Sequence, residues 1–275
     1  TWLTGAMDNR VIAIAPIVID VLNADISMRH HFAAYGFWSA SVGDYVAHGI
    51  MEQLDNPRLA SLYQLVDPWF YRDRLEMPKY IINGSGDQFF LPDSSLFYLE
   101  GLRGETYLRY VPNADHGLDG SDALAGLVAF HALIAHNQKP PQFSWRWNDN
   151  QLTILSATEP TRVTLWQAHN PLARDFRLET LGKAYTAAPV QAGGPGLFTA
   201  HVETPEGGWK AAFAELQFPL PGGTSLKLST DVRVFPDALP FDGKPPHLPA
   251  SITLSCLPAE GLDATQLLRG VGKSL

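Results

Sequence analysis

Three strand-length apolar runs, each followed by a loop of turn-forming residues, restrict the folds open to this chain more than any other feature of its sequence. The run at residues 11–19 (VIAIAPIVI) is almost continuously apolar and β-branched, a pattern typical of strands buried on both faces of a parallel sheet. Residues 79–82 and 106–111 resemble it and lead into the loops NGSG (83–86) and PNADH (112–116). In open α/β sheets, catalytic groups lie in such loops at the carboxyl ends of strands.

Helical patterns separate these runs. Residues 94–102 are apolar at helical spacing, and residues 122–136 predict an amphipathic helix with Asp119, Ser121 or Asp122 as its cap. The alternation of strands and helices predicts a parallel sheet with right-handed crossovers, which is an α/β fold.

Two further regions interrupt that pattern. Residues 20–75 are too long for a simple crossover, and their aromatic and helical character predicts an inserted helical cap that covers a site. After Lys139-Pro140-Pro141 the chain shows short alternating runs separated by Gly, Pro and Asn, which predicts a small antiparallel β-sandwich-like domain at 143–235. We therefore expect an α/β domain at 1–138, the β-rich domain, and a Pro-rich, poorly ordered tail at 236–275.

The charge and the cysteine content exclude several classes of function. The formal charge is −8, with 20 Lys and Arg against 28 Asp and Glu, and no basic run interleaved with aromatic residues is present, so nucleic acid is not expected as a partner. No apolar run reaches the roughly 18 to 20 residues that span a bilayer. The single cysteine excludes an internal disulfide framework and a cysteine metal cluster but does not indicate a compartment.

Asp87 and His116 are the candidate catalytic residues. They follow two consecutive predicted strands, 29 residues apart (116 − 87), in the acid-then-histidine order of a Ser-His-Asp triad. Taken singly, Asp87 could be a turn residue and His116 a surface histidine. Asp115 and Asp119 are alternative candidates for the acid; Asp115 is a weak one, because the side chain of the residue just before the histidine points away from it.

The nucleophile of such a triad is not apparent in the sequence. No G-x-S-x-G elbow occurs, and Ser85 shares its loop with Asp87, which favours a turn serine. Residues 1–9 resemble the last turns of a helix that ends before the strand at 11–19. We therefore expect the nucleophilic serine a few residues before Thr1.

Weaker candidates lie in and before the predicted cap. Asp20 and Asn23 follow the first strand and could line a pocket. Aromatic residues of the cap could form an apolar substrate wall or simply the core of the cap; they are Tyr35, Phe37, Trp38, Tyr45, Trp69 and Phe70. Among these, Tyr35 and Trp38 are the preferred candidates for substrate binding.

A metal site formed by His30 and His31 with Asp20 and Asp25 is disfavoured. Adjacent histidines diverge on a helix, and no H-E-x-x-H or comparable spacing occurs. Phosphate-loop and nicotinamide motifs are also absent from the sequence, so neither a metal nor a cofactor is expected.

Several segments together carry a family resemblance. Residues 15–23, 35–50, 65–95 and 110–118 resemble the PhoPQ-activated pathogenicity-related proteins, and the resemblance extends from residue 1 to about 235. It implies an exported α/β-hydrolase with a helical insertion and a β-rich C-terminal region, similar to serine peptidases and esterases.

The resemblance also assigns residues. In the family pattern a G-x-S-K-R-G-type elbow leads into a helix with a Thr-Trp pair, which corresponds to Thr1-Trp2, and the acid and histidine correspond to Asp87 and His116. The elbow, the strands before it and the expected oxyanion donor have no counterpart in this sequence. We therefore expect the chain alone to be a fragment without serine-hydrolase activity.

The leading hypothesis is a serine hydrolase of the peptidase or esterase type, acting on a peptide or an ester. The alternative is a non-catalytic binding or signalling protein that keeps the hydrolase fold and uses the β-rich domain for recognition. A third, weaker hypothesis is a metal-dependent hydrolase that uses His30 and His31. The sequence indicates no oligomeric state.

Overall fold

The computed structural model describes residues 1–243 of the chain. The α-helices are α1 (Trp2–Met7), α2 (Ala24–Tyr35), α3 (Gly43–Ala47), α4 (Pro57–Val66), α5 (Ala123–Ala135) and α6 (Leu178–Leu181). Short 3-10 helices span Ala40–Val42, Met51–Gln53, Pro68–Arg74, Ser94–Phe97, Leu99–Gly101 and Pro221–Gly223. The strands are β1 (Lys79–Gly84), β2 (Thr106–Val111), β3 (Phe143–Asn148), β4 (Gln151–Ser156), β5 (Arg162–Asn170), β6 (Thr186–Pro189), β7 (Ala192–Gly194), β8 (Leu197–His201), β9 (Trp209–Pro219), β10 (Ser225–Ser229) and β11 (Arg233–Phe235).

A two-stranded parallel sheet carries the two loops of interest. Strands β1 and β2 pair in parallel, with Ile81 opposite Leu108 and Gly84 opposite Val111. Every residue of β1 is buried. Helix α5 packs against β1, and the antiparallel strand β10 packs against β2, so both elements cover the sheet. The near-continuous apolar runs at 79–82 and 106–111 are thus explained, and the parallel prediction is confirmed for this pair.

The apolar run at residues 11–19 is extended beside β1 but does not form a regular strand. Ile14 pairs with Lys79 and Ile17 with Ile82, both as isolated parallel bridges. Pro16 has no N–H to donate, and Val18 adopts a left-handed φ of 51°, so the ladder is interrupted. The prediction of a continuous strand here is wrong, although its direction relative to β1 is as expected.

The helix predicted at 122–136 is confirmed as α5. Gly126 lies where a Cβ atom would come within 2.7 Å of the Tyr80 hydroxyl, so this glycine lets the helix approach β1 closely. The α-helical pattern at 94–102 is wrong in type, since two 3-10 helices occupy it. They are separated at Tyr98, whose φ of −142° breaks the helix and whose hydroxyl donates to Asp20 inside the core.

The segment between the first run and β1 is helical, as its pattern indicated. Helices α2 to α4 surround a small apolar core built on Met28, Val42, Met51, Leu54 and Leu59. The Asn56 side chain accepts a hydrogen bond from the backbone N–H of Arg58 and so caps α4. No helix within residues 1–243 combines the length and apolar character required to cross a membrane.

Two antiparallel sheets follow the parallel one. Their strand orders are β3-β4-β8-β7 and β10-β9-β5-β6, and β11 continues along β9. The alternating runs predicted six strand-forming segments, and the last of them forms both β10 and β11. Strands β6 and β7 were not predicted; they are short and rich in alanine, glycine and proline, which have low β-propensity.

The parallel and antiparallel parts share buried contacts. One apolar cluster combines Tyr80 and Phe130 with Phe198, Phe218 and Leu226 of the antiparallel sheets. Residues 1–243 pack as one compact unit. The boundary at 139–142 stays a prediction, and of the predicted tail only 236–243 fall within the described residues, while 244–275 lie outside them.

Candidate active site

The loops that follow β1 and β2 lie against each other. A Cβ atom on Gly84 would approach the carbonyl oxygen of Asp115 to 2.5 Å, so only glycine fits at this position. The Gly86 N–H donates to the carbonyl of Ala114 at 2.9 Å. Since the carboxyl ends of parallel strands share one edge of a sheet, this close approach brings Asp87 next to His116.

Asp87 and His116 form a hydrogen-bonded pair. The distance from His116 Nδ1 to Asp87 Oδ2 is 2.8 Å, and Asp87 Oδ1 accepts the backbone N–H of Phe89 at 2.7 Å. The Asp87 carboxylate is buried, whereas the His116 side chain is 27% exposed. A carboxylate that accepts the Nδ1 proton leaves Nε2 unprotonated in the neutral ring, which is the state a general base needs.

The electrostatics of the pair follow from its burial. Burial raises the pKa of Asp87 above its ordinary value, and the hydrogen bonds from Phe89 and His116 offset only part of that effect. The Gln88 side chain also accepts the backbone N–H of His116 at 3.1 Å. Both residues of the pair are therefore held by the loop that carries Asp87.

A segment of the β-rich region supports both loops. Asn113, at a left-handed φ of 57°, exchanges two 2.8 Å hydrogen bonds with the backbone of Tyr185. The Leu178 N–H donates to the carbonyl of Gly86 at 2.9 Å. Ser85 Oγ accepts the N–H of Asn113 at 3.0 Å, so this serine joins the two loops as a turn residue.

An apolar pocket of about 320 Å³ adjoins the pair. Phe89 and Phe90 line it, and the Phe89 ring centroid lies 4.4 Å from that of His116. The other lining residues come mainly from the helical segment; they are Val21, Ala24, Met28, Val42, Tyr45, Ile50, Met51, Leu59, Leu62, Tyr63, Val66, Asp67 and Pro68. The carboxylate of Asp67 accepts the backbone N–H groups of Ala24 and Trp69, so the pocket presents a largely apolar surface.

Comparison with known proteins places the chain. The family model of the PhoPQ-activated pathogenicity-related proteins matches residues 1–177. The chain belongs to this family. Autocrine proliferation repressor protein A of Dictyostelium discoideum is 35% identical over 269 residues, which cover 88% of this chain and 54% of that protein. This chain therefore spans about half the length of that curated relative, and no solved structure matches it.

In this member of the PhoPQ-activated pathogenicity-related family, the alternative acids do not contact the histidine ring. Asp115 Oδ1 accepts the N–H of Gly117 at 3.0 Å, and Asp119 lies beyond it in the same turn. The partner of His116 Nδ1 is Asp87.

Asp20 and Asn23 lie in the core beside the site, and neither lines the apolar pocket. The hydroxyls of Tyr98 and Tyr110 donate to the two oxygens of Asp20 at 2.5 and 2.6 Å. Burial raises the pKa of Asp20 to about 7, which the two hydroxyl donors oppose. Asn23 precedes α2 with a left-handed φ of 63° and donates to the carbonyl of Phe97 at 3.0 Å.

Tyr35 and Trp38 pack around His31. The ring centroids of Tyr35 and Trp38 lie 4.8 and 5.5 Å from that of His31, and the Arg177 guanidinium lies 5.1 Å from the Tyr35 ring centre. Among the aromatic residues singled out in the sequence, the one that lines the pocket is Tyr45. Phe89 and Phe90 were not predicted from the sequence, although two aromatic residues in a loop directly after a candidate acid were a usable signal.

His30 and His31 do not come together as ligands. His30 Nε2 lies 3.0 Å from Asp93 Oδ2, which also accepts Arg174 at 2.6 Å. Although burial opposes ionisation, Arg174 and His30 hold the pKa of Asp93 far below its usual range. His31 Nε2 accepts the N–H of Ser39 at 3.1 Å. Within residues 1–243 no group of three or more His, Cys, Asp or Glu side chains is placed to hold a metal ion.

Proposed function

We propose that the protein to which these residues belong is a serine-type hydrolase of the peptidase or esterase class, with His116 as general base and Asp87 as its orienting acid. The observation that carries the proposal is the 2.8 Å contact between His116 Nδ1 and a buried Asp87 whose other oxygen is fixed by a backbone N–H. The position of both residues at the ends of parallel strands supports an α/β-hydrolase arrangement.

In this proposal, each step moves one proton through His116. A serine hydroxyl attacks the carbonyl carbon of the substrate while Nε2 takes its proton, and the imidazolium, stabilised by Asp87, returns that proton to the leaving group. Water then attacks the acyl-enzyme by the same route, with His116 first as base and then as acid. From the Thr-Trp pair of the family pattern, which corresponds to Thr1-Trp2, we infer that the nucleophilic serine precedes Thr1 in the full-length protein.

The apolar pocket supports a substrate with an apolar group next to the scissile bond. Phe89 connects the pocket to the His116 ring, and Tyr45, Leu62 and Val66 line the pocket while staying about half exposed. The pocket therefore opens to solvent without presenting an unpaired charge. We expect an ester or peptide with a bulky aliphatic or aromatic group to bind there.

The first prediction concerns labelling of the full-length protein with a fluorophosphonate probe. Replacement of His116 by alanine should lower the labelling rate by several decades. Loss of one triad member costs about six decades in turnover and leaves a rate only roughly 10³ to 10⁴-fold above that in water. Asp87→Asn should cost about four decades, because the wrong histidine tautomer is favoured. The matched control is Asp115→Asn, an acid adjacent to the histidine that does not contact its ring.

Equal labelling of the His116→Ala and parent proteins would reject the proposed base. Absence of labelling in the parent protein, with its fold intact by circular dichroism, would reject the proposed serine chemistry.

A second function is favoured by one comparison. The relative from Dictyostelium discoideum is named a repressor of proliferation, which suggests a regulatory protein that keeps a hydrolase-like fold without catalysis. Under this alternative, the β-rich region, which we propose spans 143–235, is the recognition surface. If an Asp87→Asn, His116→Ala double variant kept full biological activity while surface substitutions on 143–235 removed it, the regulatory function would replace the enzymatic one.

A further inference from the structure

A groove runs along strand β3, away from the Asp87–His116 pair. Its larger part is a cavity of about 580 Å³ that touches all five residues from 143 to 147. The facing wall consists of Leu96, Leu99 and Glu100, with Asp231 and Arg233 completing the lining. A second cavity of about 400 Å³ shares Leu96, Trp147 and Arg233 with it and extends it to Asn150. The two cavities therefore form one continuous groove.

The groove follows the edge of β3 and not one of its faces. Successive side chains of a strand point to opposite faces, so a cavity that touches five consecutive residues must run along the backbone. Strand β3 is the first in the order β3-β4-β8-β7 and pairs with β4 on one side. Within residues 1–243 no other backbone group hydrogen-bonds to residues 143–148. Every second N–H and C=O of β3 therefore points into the groove without a backbone partner.

The floor of the groove is fixed before any ligand binds. Trp145 Nε1 and Trp147 Nε1 both donate to Asp231 Oδ1, at 2.6 and 3.1 Å. Arg233 Nε donates to the other oxygen of Asp231 at 2.8 Å. Because the buried Asp231 holds two indoles and a guanidinium, few side chains would have to be ordered on binding.

The rim offers two free charges of opposite sign. Arg146 on β3 and Glu100 on the facing wall are both exposed, and neither forms an ion pair with another residue of the described part. An extended ligand in the groove would therefore gain from an acidic side chain near Arg146 and a basic one near Glu100.

We propose that this groove binds an extended peptide segment of another protein, which adds as a strand to the free edge of β3. Its backbone pairs with β3, its apolar side chains pack on Leu96, Leu99 and the tryptophans, and its acidic side chain lies beside Arg146. The β3 edge of a second copy would present the same Arg146 and no acidic side chain within residues 143–148, which disfavours pairing of two β3 edges. This binding site is independent of hydrolysis at His116.

The test is calorimetric titration of the chain with six-residue peptides, added up to millimolar concentration. In these peptides every second residue is leucine, and threonine and glutamate occupy the positions between. Two control peptides carry N-methyl groups on the odd or on the even residues. In strand pairing, the N–H groups of either the odd or the even residues of the peptide face β3, but not both. The control peptide that is N-methylated on the facing residues should bind at least about tenfold more weakly, and the other control should keep its affinity. The peptide should also slow hydrogen exchange of the amides in residues 143–148.

A charge exchange tests the register at the rim. The Arg146→Glu variant should bind the glutamate-containing peptide about threefold more weakly than the unsubstituted chain does. A peptide with lysine in place of glutamate should restore the affinity of this variant. Arg162→Glu, an exposed substitution outside the groove, is the matched control and should change nothing. Absence of binding by every peptide, or equal binding by both N-methylated controls, would overturn the proposal.

Discussion

At the scale of single residues, two histidines of this chain differ sharply in their accessibility to solvent. His116 keeps part of its ring in solvent, whereas His31 is buried against Tyr35 and Trp38 with its Nε2 accepting a backbone N–H. Sequence spacing predicted Asp87 and His116 as a pair because each follows its own strand, and the two side chains are hydrogen-bonded in the structure. It could not separate His30 from His31, because burial and partners depend on Asp93, Arg174 and Ser39, which are distant in sequence or lie on other elements.

The buried His31 gives a pH dependence of stability. Burial lowers the pKa of His31 from 6.5 to about 3. In the unfolded chain this histidine is therefore protonated below pH 6.5, whereas in the folded chain it stays neutral until the pH approaches 3. The stabilisation is complete above pH 6.5 and is lost as the pH falls toward 3. Between pH 7 and pH 5, His31 should account for a loss of about 2 kcal/mol in the free energy of unfolding.

Urea unfolding of a His31→Gln variant at several pH values measures this contribution. The difference between parent and variant should shrink as the pH falls from 7 to 5. His136→Gln, at the exposed histidine that follows α5, provides the control for removing a histidine side chain from the surface. A pH-independent difference for His31→Gln would show that the residue stays uncharged in both states or charged in both.

At the scale of elements, buried charges join β2 to the antiparallel strands. Arg109 of β2 forms ion pairs with Glu215 of β9 and with Asp122 at the start of α5, the second at 3.0 Å. Lys227 of β10 also reaches Asp122, at 2.6 Å. The burial of Arg109 was not predictable from the sequence, since an arginine within an apolar run gives no indication that its partner Glu215 lies 106 residues further along the chain.

Removing Arg109 alone should lower the free energy of unfolding more than removing Arg109 and Glu215 together. Arg109→Met should lower the free energy of unfolding by about 3 to 5 kcal/mol, because Glu215 is left buried with Lys227 as its remaining cation, 3.7 Å away. The Arg109→Met, Glu215→Leu double variant should recover most of that loss. Chemical denaturation of the single and double variants forms the cycle, and additive losses would exclude the coupling.

The sequence predicted elements best where the period was long and regular. Helix α5 agrees with its predicted range to within one residue at each end, since its apolar residues recur over more than three turns. The segment at 94–102 has apolar residues at helical spacing, but Tyr98 turns inward to reach Asp20, and this tertiary contact decides its conformation. Strands β6 and β7 were not predicted, because their side chains have low β-propensity. They are extended because β6 pairs with β5 and β7 pairs with β8.

At the scale of the whole molecule, the chain holds the acid and base of the proposed triad but spans about half the length of its relative. We expect residues 1–275 expressed alone to give no turnover of an activated ester above the buffer rate, since loss of the serine costs on the order of six decades. The measurement compares p-nitrophenyl butyrate hydrolysis by this chain and by the full-length protein. Turnover by the chain alone that His116→Ala abolished would contradict the assignment of the nucleophile to another segment.

The change of period near residue 139 predicted an α/β half and a β-rich half, and the structure contains both a parallel sheet and antiparallel sheets. It did not reveal that the two halves share an apolar core. The outward faces of antiparallel strands and of α5 carry no local signal of what covers them, so the packing between distant segments becomes apparent only in three dimensions.

The hydrogen bonds from Leu178 and Tyr185 to the loops at Gly86 and Asn113 bear on how this protein can be divided or engineered. A shortened version that stopped at residue 138 would keep both members of the Asp87–His116 pair but lose the scaffold that holds their loops together. Domain-exchange chimeras should therefore carry residues 170–190 along with the α/β half. Any library built on the β-rich half as an interchangeable module would otherwise alter the geometry of the Asp87–His116 pair with every graft.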